Sequence, residues 1–120
     1  MRDLRLSKSC ISQEEKRAVM SVLDRGYLGM GPEVRDFENE LTSFFGRPAI
    51  CIVNGTAAIH LALQGIGVES GDEVLVQSLT YVASFQAITA AGGTPIACDF
   101  DPDTGCIDLI DARKRVSDKT

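Results

Sequence analysis

Short apolar segments alternate with helical segments in the second half of the chain, and this alternation most constrains the fold. The apolar segments are rich in β-branched residues, as is typical of strands buried on both faces. Between residues 49 and 99 the predicted elements are a strand at 49–53, a helix at 57–66, a strand at 73–77, a helix at 81–91 and a strand at 94–98. Because strands joined through helices pair in parallel, we predict an α/β fold with a mostly parallel sheet flanked by helices.

Two further helices are predicted before the first strand. Ser12 and Glu15 have the spacing of a capping box, so a helix should begin at the next residue, Gln13, and end at Gly26. Pro32 suits the first turn of a second helix. The two helices lie within 12–46 and are separated by a glycine-rich loop at 26–32. The other segments are a leader without clear periodicity at 1–11 and a last short helix at 109–116.

Composition and charge favour one globular domain and argue against nucleic-acid or membrane binding. The chain has 120 residues, 44% of them hydrophobic, and a net charge of −5. Its basic residues are scattered except at 113–115, which is typical of a solvated helix face, whereas phosphate backbones require clustered Lys and Arg. No apolar run approaches the roughly 18 residues of a membrane span, and the first residues lack a signal-peptide stretch. We therefore expect a cytoplasmic protein.

The cysteines, the single histidine and the acidic turn do not predict a metal site. Cys51 and Cys98 lie in apolar segments and are predicted to be buried free thiols in a reducing compartment. His60 has no zinc-ligand spacing around it and is predicted to be a hydrogen-bonded interior or boundary residue. The acidic run from Asp99 resembles the start of a calcium loop, but its glycine stands at position seven instead of six and position twelve is Ile110.

The turn Asn54-Gly55-Thr56-Ala57 is the first candidate binding site. It follows a predicted strand and opens a helix, where backbone N–H groups and the helix dipole attract phosphate. Gly55 allows a ligand to approach the backbone closely, and Thr56 adds a hydroxyl. The alternative is that Asn54 only caps the helix, since the turn matches neither a Walker nor a Rossmann fingerprint.

The second candidate lies at residues 78–84, which follow the next predicted strand and open the next helix. Open α/β sheets bind ligands at the carboxyl ends of their parallel strands, so this segment and the turn after residue 53 are predicted at one sheet edge. The ring of Tyr81 is suited to stacking on a planar cofactor. The alternative is an ordinary surface or core tyrosine.

In these and other segments the chain resembles the DegT/DnrJ/EryC1/StrS family of sugar-nucleotide aminotransferases. The resemblance begins at about Ser9 and covers nearly the whole chain. Several ordered segments with matching spacing are more specific than any single one. These segments are Glu14-Glu15, Ala18-Val19 and Val22-Leu23; Gly26-Tyr27-Leu28, Gly31-Pro32, Val34 and Phe37-Glu38; residues 54–63; Gly71-Asp72-Glu73-Val74; Thr80-Tyr81-Val82-Ala83-Ser84; Gly93-Thr94-Pro95; and residues 99–104.

The resemblance implies a fold, a cofactor and a reaction. The fold is the N-terminal part of the large domain of a fold-type-I transferase that depends on pyridoxal 5'-phosphate (PLP). The reaction is transfer of an amino group, with glutamate as the donor, to a keto-sugar attached to a nucleotide. Complete members of the family are homodimers, so a nucleotide sugar, an amino acid and a second subunit are the implied partners.

The resemblance also assigns roles within the cofactor site. Gly55, Thr56 and Ala57 match the turn that binds the PLP phosphate, and Tyr81 matches the aromatic residue that stacks on the pyridine ring. The loop at 26–32 is similar to the family's loop near the active-site entrance and the dimer contact.

The chain departs from the family pattern at the catalytic lysine, which forms the Schiff base with PLP. That lysine, its preceding aspartate and the smaller second domain match positions beyond residue 120, so the catalytic residues are unknown and the isolated chain is expected to be inactive. The lysines present match neither motif; they are Lys8, Lys16, Lys114 and Lys119. Two alternatives stay open: a sugar dehydratase of the same family, with histidine in place of the lysine, and a non-catalytic module that binds a phosphate ligand or a partner.

Overall fold

The chain separates into two units, Met1–Cys51 and Ile52–Thr120. The described residues of the first unit contain two helices. The structure, a computed structural model, describes residue 7 and residues 9–120; the rest of the predicted leader lies outside the described residues. Helix α1 spans Gln13–Arg25 and helix α2 spans Pro32–Phe45. The capping box and the glycine stop predicted for α1 are therefore confirmed, as is the proline in the first turn of α2.

A capping box fixes the start of α1. The Ser12 hydroxyl accepts a hydrogen bond from the Glu14 N–H at 3.0 Å, and the Glu15 carboxylate accepts one from the Ser12 N–H. Each bond satisfies a backbone donor that the first helical turn leaves unpaired. The contact with the Ser12 hydroxyl, more than any other, holds the pKa of the Glu15 carboxyl below its usual value.

Residues 49–53 do not form the predicted strand. The Ala49 N–H donates to Thr42 Oγ1 at 3.0 Å and the Cys51 N–H donates to a Glu38 carboxylate oxygen at 2.7 Å, so side chains of α2 take these backbone donors. A strand requires a neighbouring strand to complete its hydrogen bonds, and none pairs with this segment within the described residues. Cys51 is half-buried here, so the prediction that it is buried was also wrong.

A two-stranded parallel sheet organises the second unit. Strand β1 pairs with β2 in register from Glu73 opposite Thr94 to Gln77 opposite Cys98. The elements are α3 at Gly55–Gly65, β1 at Glu73–Gln77, α4 at Ala83–Ala90, β2 at Thr94–Cys98 and α5 at Leu109–Arg115. Helix α4 packs against both strands and against α3, and α5 packs against β2. The prediction of an α/β fold with parallel pairing is confirmed.

The core of this unit lies where α4 meets the sheet. Small side chains on α4 allow the helix to approach closely: Ala87 is 0% exposed and Ile88 is 3% exposed. The buried apolar residues among those described are Val76, Ala83, Ala87, Ile88, Cys98 and Ala112. Cys98 is therefore the buried free thiol that the sequence predicts.

Helix α3 is apolar nearly all round, a composition that predicts a buried helix, and this prediction is wrong. None of its residues is buried, and Ile59 and Leu61 are 40% and 49% exposed. An apolar helix is buried only where other elements cover it, and within the described residues α4 is the helix that packs against α3. Composition thus predicted the helix correctly but not its surroundings.

A glycine pair after α4 allows the chain to turn tightly into β2. Gly92 has a left-handed φ of 96°, and a Cβ there would lie 3.3 Å from the Ser70 backbone nitrogen. A Cβ on Gly93 would lie only 2.9 Å from Val68 Cγ1. The turn therefore packs against residues 68–70 only because both positions lack a side chain.

Candidate functional site: the first turn of α3 and the loop before α4

Asn54 is the N-cap of α3, as the capping alternative predicts. Its Oδ1 accepts a hydrogen bond from the Ala57 N–H at 2.8 Å, and its backbone carbonyl accepts one from the Ala58 N–H at 3.1 Å. The cap therefore uses one of the N–H groups that the family resemblance assigns to phosphate binding. It also fixes the direction in which the first turn of the helix points.

Two donors remain in this turn. Among the described residues, the N–H groups of Gly55 and Thr56 have no hydrogen-bond acceptor. They lie at the positive end of the helix dipole, where an anion is stabilised. Gly55 is exposed and Thr56 is half-buried. The cap takes the Ala57 N–H and leaves those of Gly55 and Thr56, so capping by Asn54 is compatible with phosphate binding at these two residues.

Within the part of the chain that the structure describes, nothing requires a glycine at position 55. It has no left-handed φ, and a Cβ built on it would meet nothing within 4 Å. A glycine within a helix costs about 1 kcal/mol relative to alanine. A ligand that must approach the backbone closely is a physical reason for keeping glycine here.

Tyr81 lies in the loop between β1 and α4, with its side chain largely in solvent at 79% exposure. Its backbone carbonyl accepts a hydrogen bond from the Ser84 N–H at 3.0 Å, and the hydroxyls of Thr80 and Ser84 are 3.1 Å apart. The first turn of α4 thus holds the backbone of the loop. The core alternative for Tyr81 is excluded, and the ring presents an open apolar face.

The two candidate segments lie in the same unit, one opening α3 and the other preceding α4, and these two helices contact each other. Residues 78–82 follow the carboxyl end of β1, as predicted, and the Ser78 N–H donates to the Cys98 carbonyl at 2.8 Å. The turn at Asn54 follows residues 49–53, which are not a strand. The expectation that both candidates follow parallel strands therefore holds for Tyr81 and is wrong for Gly55.

An acidic turn follows β2 at the same edge of the sheet. Phe100 and Ile107 form an antiparallel bridge, and the Asp101 N–H and carbonyl close the turn through bonds of 2.8 Å to Cys106 and Gly105. One Asp101 carboxylate oxygen accepts from the Asp103 N–H at 2.9 Å. The Asp101 carboxylate therefore stabilises the turn itself, and the described residues contain no group of three or more side chains that could hold a metal ion.

Sequence reasoning missed Gln77, the last residue of β1. Its side-chain Nε2 donates to the Leu79 carbonyl and, at 3.4 Å, to the Gly105 carbonyl. It therefore links the loop that carries Tyr81 to the acidic turn. A polar residue at the end of an apolar strand was the sequence signal that could have identified Gln77. Its partners could not be predicted from the sequence, because Gly105 is distant along the chain.

Sequence reasoning also missed Asp111, a carboxylate on α5 that links this helix to the end of β2. One oxygen accepts from Arg115 Nε at 2.6 Å and from the Asp99 N–H at 2.8 Å. The hydrogen bond from Arg115, followed by that from Asp99, holds the pKa of the Asp111 carboxyl below its usual value. The same contact raises the pKa of Arg115.

Lowering the pH should weaken this link. Because the folded-state pKa of Asp111 is depressed, its contribution is complete above the unfolded-state pKa of about 3.9 and is lost as the pH falls through the lower folded-state value. We expect Asp111→Asn to reduce stability at neutral pH and to lose less stability than the parent below about pH 4. Urea unfolding across this pH range measures both effects. The control is Asp118→Asn, at an exposed aspartate without a side-chain hydrogen bond among the described residues; equal behaviour of the two variants would contradict the assignment.

His60, on α3, is half-buried, as expected for a boundary residue. Its Nε2 atom is buried and has no hydrogen-bond partner among the described residues. The prediction of a hydrogen-bonded imidazole was therefore wrong for this nitrogen. Among the described residues, no helix has the length and apolar character needed to cross a membrane.

The parallel sheet and its flanking helices are features of the PLP-dependent aminotransferase class, and the comparisons with known proteins agree. The DegT/DnrJ/EryC1/StrS aminotransferase family matches residues 9–120. This match covers almost the whole chain, and the chain therefore belongs to that family.

Individual relatives are similar over the same region. The chain is 34% identical over 119 residues to the dTDP-3-amino-3,4,6-trideoxy-alpha-D-glucose transaminase of Streptomyces venezuelae, covering 98% of the chain and 31% of that protein. The structure of an aminotransferase from Psychrobacter cryohalolentis matches with a TM-score of 0.84 and 35% identity, over 92% of the chain and 29% of that protein. The structure of the Escherichia coli GDP-4-keto-6-deoxy-D-mannose-3-dehydratase with bound hydrated PLP matches with a TM-score of 0.86 and 25% identity. This match covers 98% of the chain and 32% of that protein. The chain thus spans about a third of the length of these relatives.

Proposed function

We propose that this chain is the cofactor-binding N-terminal part of the large domain of a PLP-dependent sugar aminotransferase. The observation that carries the proposal is the first turn of α3, where the N–H groups of Gly55 and Thr56 have no acceptor among the described residues and nothing in that part of the chain requires a glycine at position 55. Membership in a family whose solved structures include PLP-bound enzymes supports the same cofactor here.

The residues present fit the phosphate and the ring of PLP. Gly55 and Thr56 would bind the phosphate through their N–H groups and the Thr56 hydroxyl, while Ala57 keeps the turn small and its N–H holds the Asn54 cap. The ring of Tyr81 would cover the pyridine ring. When bound, PLP supplies an electron sink for moving an amino group, and the protein supplies position and electrostatics.

For the complete enzyme we propose a nucleotide-linked keto-sugar as the acceptor, glutamate as the amino donor and a homodimer as the assembly. The similar transaminase from Streptomyces venezuelae, named for a dTDP-linked amino sugar, supports this substrate class. The four free cysteines support a reducing compartment, and we propose the cytoplasm. The isolated chain is proposed to bind cofactor without transferring amino groups.

Pyridoxamine 5'-phosphate (PMP), the amine form of the cofactor, tests the proposed site. It has no aldehyde and so does not react with surface lysines, and phosphorus NMR follows its binding even when affinity is weak. We expect PMP to bind the chain, and Tyr81→Ala to weaken binding about three- to tenfold, the worth of one aromatic stacking contact. Tyr81→Phe should retain the affinity.

The matched control is Phe44→Ala, which removes another exposed ring, 81% exposed, from the other unit. We expect this variant to bind PMP like the parent chain. Absence of PMP binding, or equal losses in Tyr81→Ala and Phe44→Ala, would overturn the assignment of the ring.

A second candidate function is PLP-dependent sugar dehydration, which the likeness to the Escherichia coli dehydratase favours. The two functions differ in their products from a nucleotide-linked keto-sugar. An aminotransferase converts glutamate to 2-oxoglutarate and places its nitrogen on the sugar, whereas a dehydratase releases water from the sugar. Incubation of the complete enzyme with ¹⁵N-glutamate, followed by mass spectrometry of the sugar nucleotide, distinguishes them: a sugar that gains ¹⁵N supports amino transfer.

A further inference from the structure

We propose that Gln77 is a positioning residue for the cofactor ring, because it holds the backbone of the loop that presents Tyr81; this inference rests on the proposed function. Tyr81 is 79% exposed, so few protein contacts surround its ring. The place of the ring is therefore set by the backbone on either side of it. Ser84 holds the C-terminal side of Tyr81, and Gln77 holds the N-terminal side.

The contacts of Gln77 identify its amide as a donor. Nε2 meets two carbonyl oxygens, those of Leu79 and Gly105. A carbonyl oxygen only accepts hydrogen bonds, so the amide nitrogen, and not the amide oxygen, must face both. A carboxylate in the same place would confront two acceptors without a proton to share.

The second partner of Gln77 lies in a turn closed by backbone hydrogen bonds. The Gly105 N–H donates to the Asp101 carbonyl at 2.8 Å, the Asp101 N–H donates to Cys106 at 2.8 Å, and Gly105 adopts a left-handed φ of 69°. Gln77 itself ends β1, where it is paired in register with Cys98. Its side chain therefore links the loop that carries Tyr81 to both the end of β1 and the acidic turn.

The loss of PMP affinity caused by a substitution at Gln77 has an upper limit. If Gln77 acts only through the ring, its loss cannot weaken PMP binding more than the removal of the ring does. We expect Gln77→Met, which keeps the length and removes the donor, to weaken PMP binding about two- to fivefold, the effect of one net hydrogen bond. Gln77→Glu, which opposes a carboxylate to both carbonyls, should approach the loss seen in Tyr81→Ala.

A double-mutant cycle tests whether Gln77 affects PMP binding through the ring of Tyr81. PMP affinity is measured by phosphorus NMR for Gln77→Glu, Tyr81→Ala and the double variant, with Gln64→Glu as a control that makes the same change at an exposed glutamine of α3. We expect Gln77→Glu to have no further effect once the ring is gone, and Gln64→Glu to bind like the parent. A merely structural role would instead weaken binding equally in both backgrounds.

Tyrosine fluorescence provides a second readout. The chain has two tyrosines and no tryptophan, so Tyr27→Phe leaves Tyr81 as the single emitter. At saturating PMP we expect the emission of Tyr81 to be quenched, and less so when Gln77→Met is added. If Gln77→Glu does not fold, the PMP affinity and the fluorescence quenching of Gln77→Met still test the positioning role.

The outcomes separate this inference from the proposed function. If Tyr81→Ala weakens PMP binding and both Gln77 variants bind normally, the positioning role is wrong and the cofactor site stands. If Gln77→Glu weakens binding equally with and without the ring, its effect does not pass through Tyr81 and the inference is also overturned. If the parent chain does not bind PMP, the proposed function fails, and the inference fails with it.

Discussion

Replacing Ala87 by aspartate is expected to destabilise the second unit by about 3–5 kcal/mol, the cost of leaving an unpaired charge in a core. Ala87 is 0% exposed on α4, where the helix packs against both strands and against α3. A loss of this size is a large share of the roughly 5–15 kcal/mol that stabilises an ordinary domain. We therefore expect the urea concentration at the midpoint of unfolding to fall markedly in Ala87→Asp, which urea titrations followed by circular dichroism would show.

Two further variants calibrate this result. Ala87→Leu adds apolar volume without charge and should cost about 1–3 kcal/mol through overpacking. Ala90→Asp makes the same substitution at an exposed position of the same helix and should cost less than about 1 kcal/mol, mostly through the helix dipole. If Ala87→Asp is no worse than Ala90→Asp, α4 does not pack on the sheet as described.

The parts of the fold that local signals specify were predictable from the sequence. The capping box at Ser12 gave the start of α1, and the two apolar segments after Asp72 and Gly93 gave the bounds of β1 and β2 correctly. Helix α4 was predicted to begin at Tyr81 and begins at Ala83, where Val82 makes no side-chain cap. Without a capping residue, the sequence carries little information about where a helix begins.

The parts that depend on distant contacts were not predictable. Residues 49–53 have the composition of a strand, but a strand exists only with a partner, and side chains of α2 take the N–H groups of Ala49 and Cys51 instead. The surroundings of α3 depend in the same way on what packs against it. Residue type predicted that Gly55 and Tyr81 suit a phosphate and a ring, whereas the role proposed for Gln77 depends on a contact across 28 positions of the chain.

Gly55→Ala is expected to weaken PMP binding about tenfold or more while leaving the chain as stable as before, or more so. The methyl group would stand beside the N–H groups that receive the phosphate, and each charge-assisted hydrogen bond lost there is worth about 1.5–3 kcal/mol. In the absence of ligand the added Cβ meets nothing within 4 Å and the backbone needs no left-handed φ. Alanine in place of a helical glycine should therefore stabilise the chain by up to about 1 kcal/mol.

The opposite signs of these two effects make the test specific to ligand binding. A residue kept for folding loses stability on substitution, and any loss of binding then follows from unfolding. Gly65→Ala is the matched control, because Gly65 lies on the same helix and also has open space around its Cβ position. It should raise stability without weakening PMP binding.

Phosphorus NMR titration with PMP and urea unfolding, applied to the parent and both variants, measure the two quantities side by side. Unchanged PMP affinity in Gly55→Ala would show that the first turn of α3 does not hold the phosphate. A loss of stability in Gly55→Ala would show that the glycine serves the fold. Weaker binding with unimpaired stability in Gly55→Ala alone is the result that assigns this turn to the cofactor, because only a ligand would then account for the glycine.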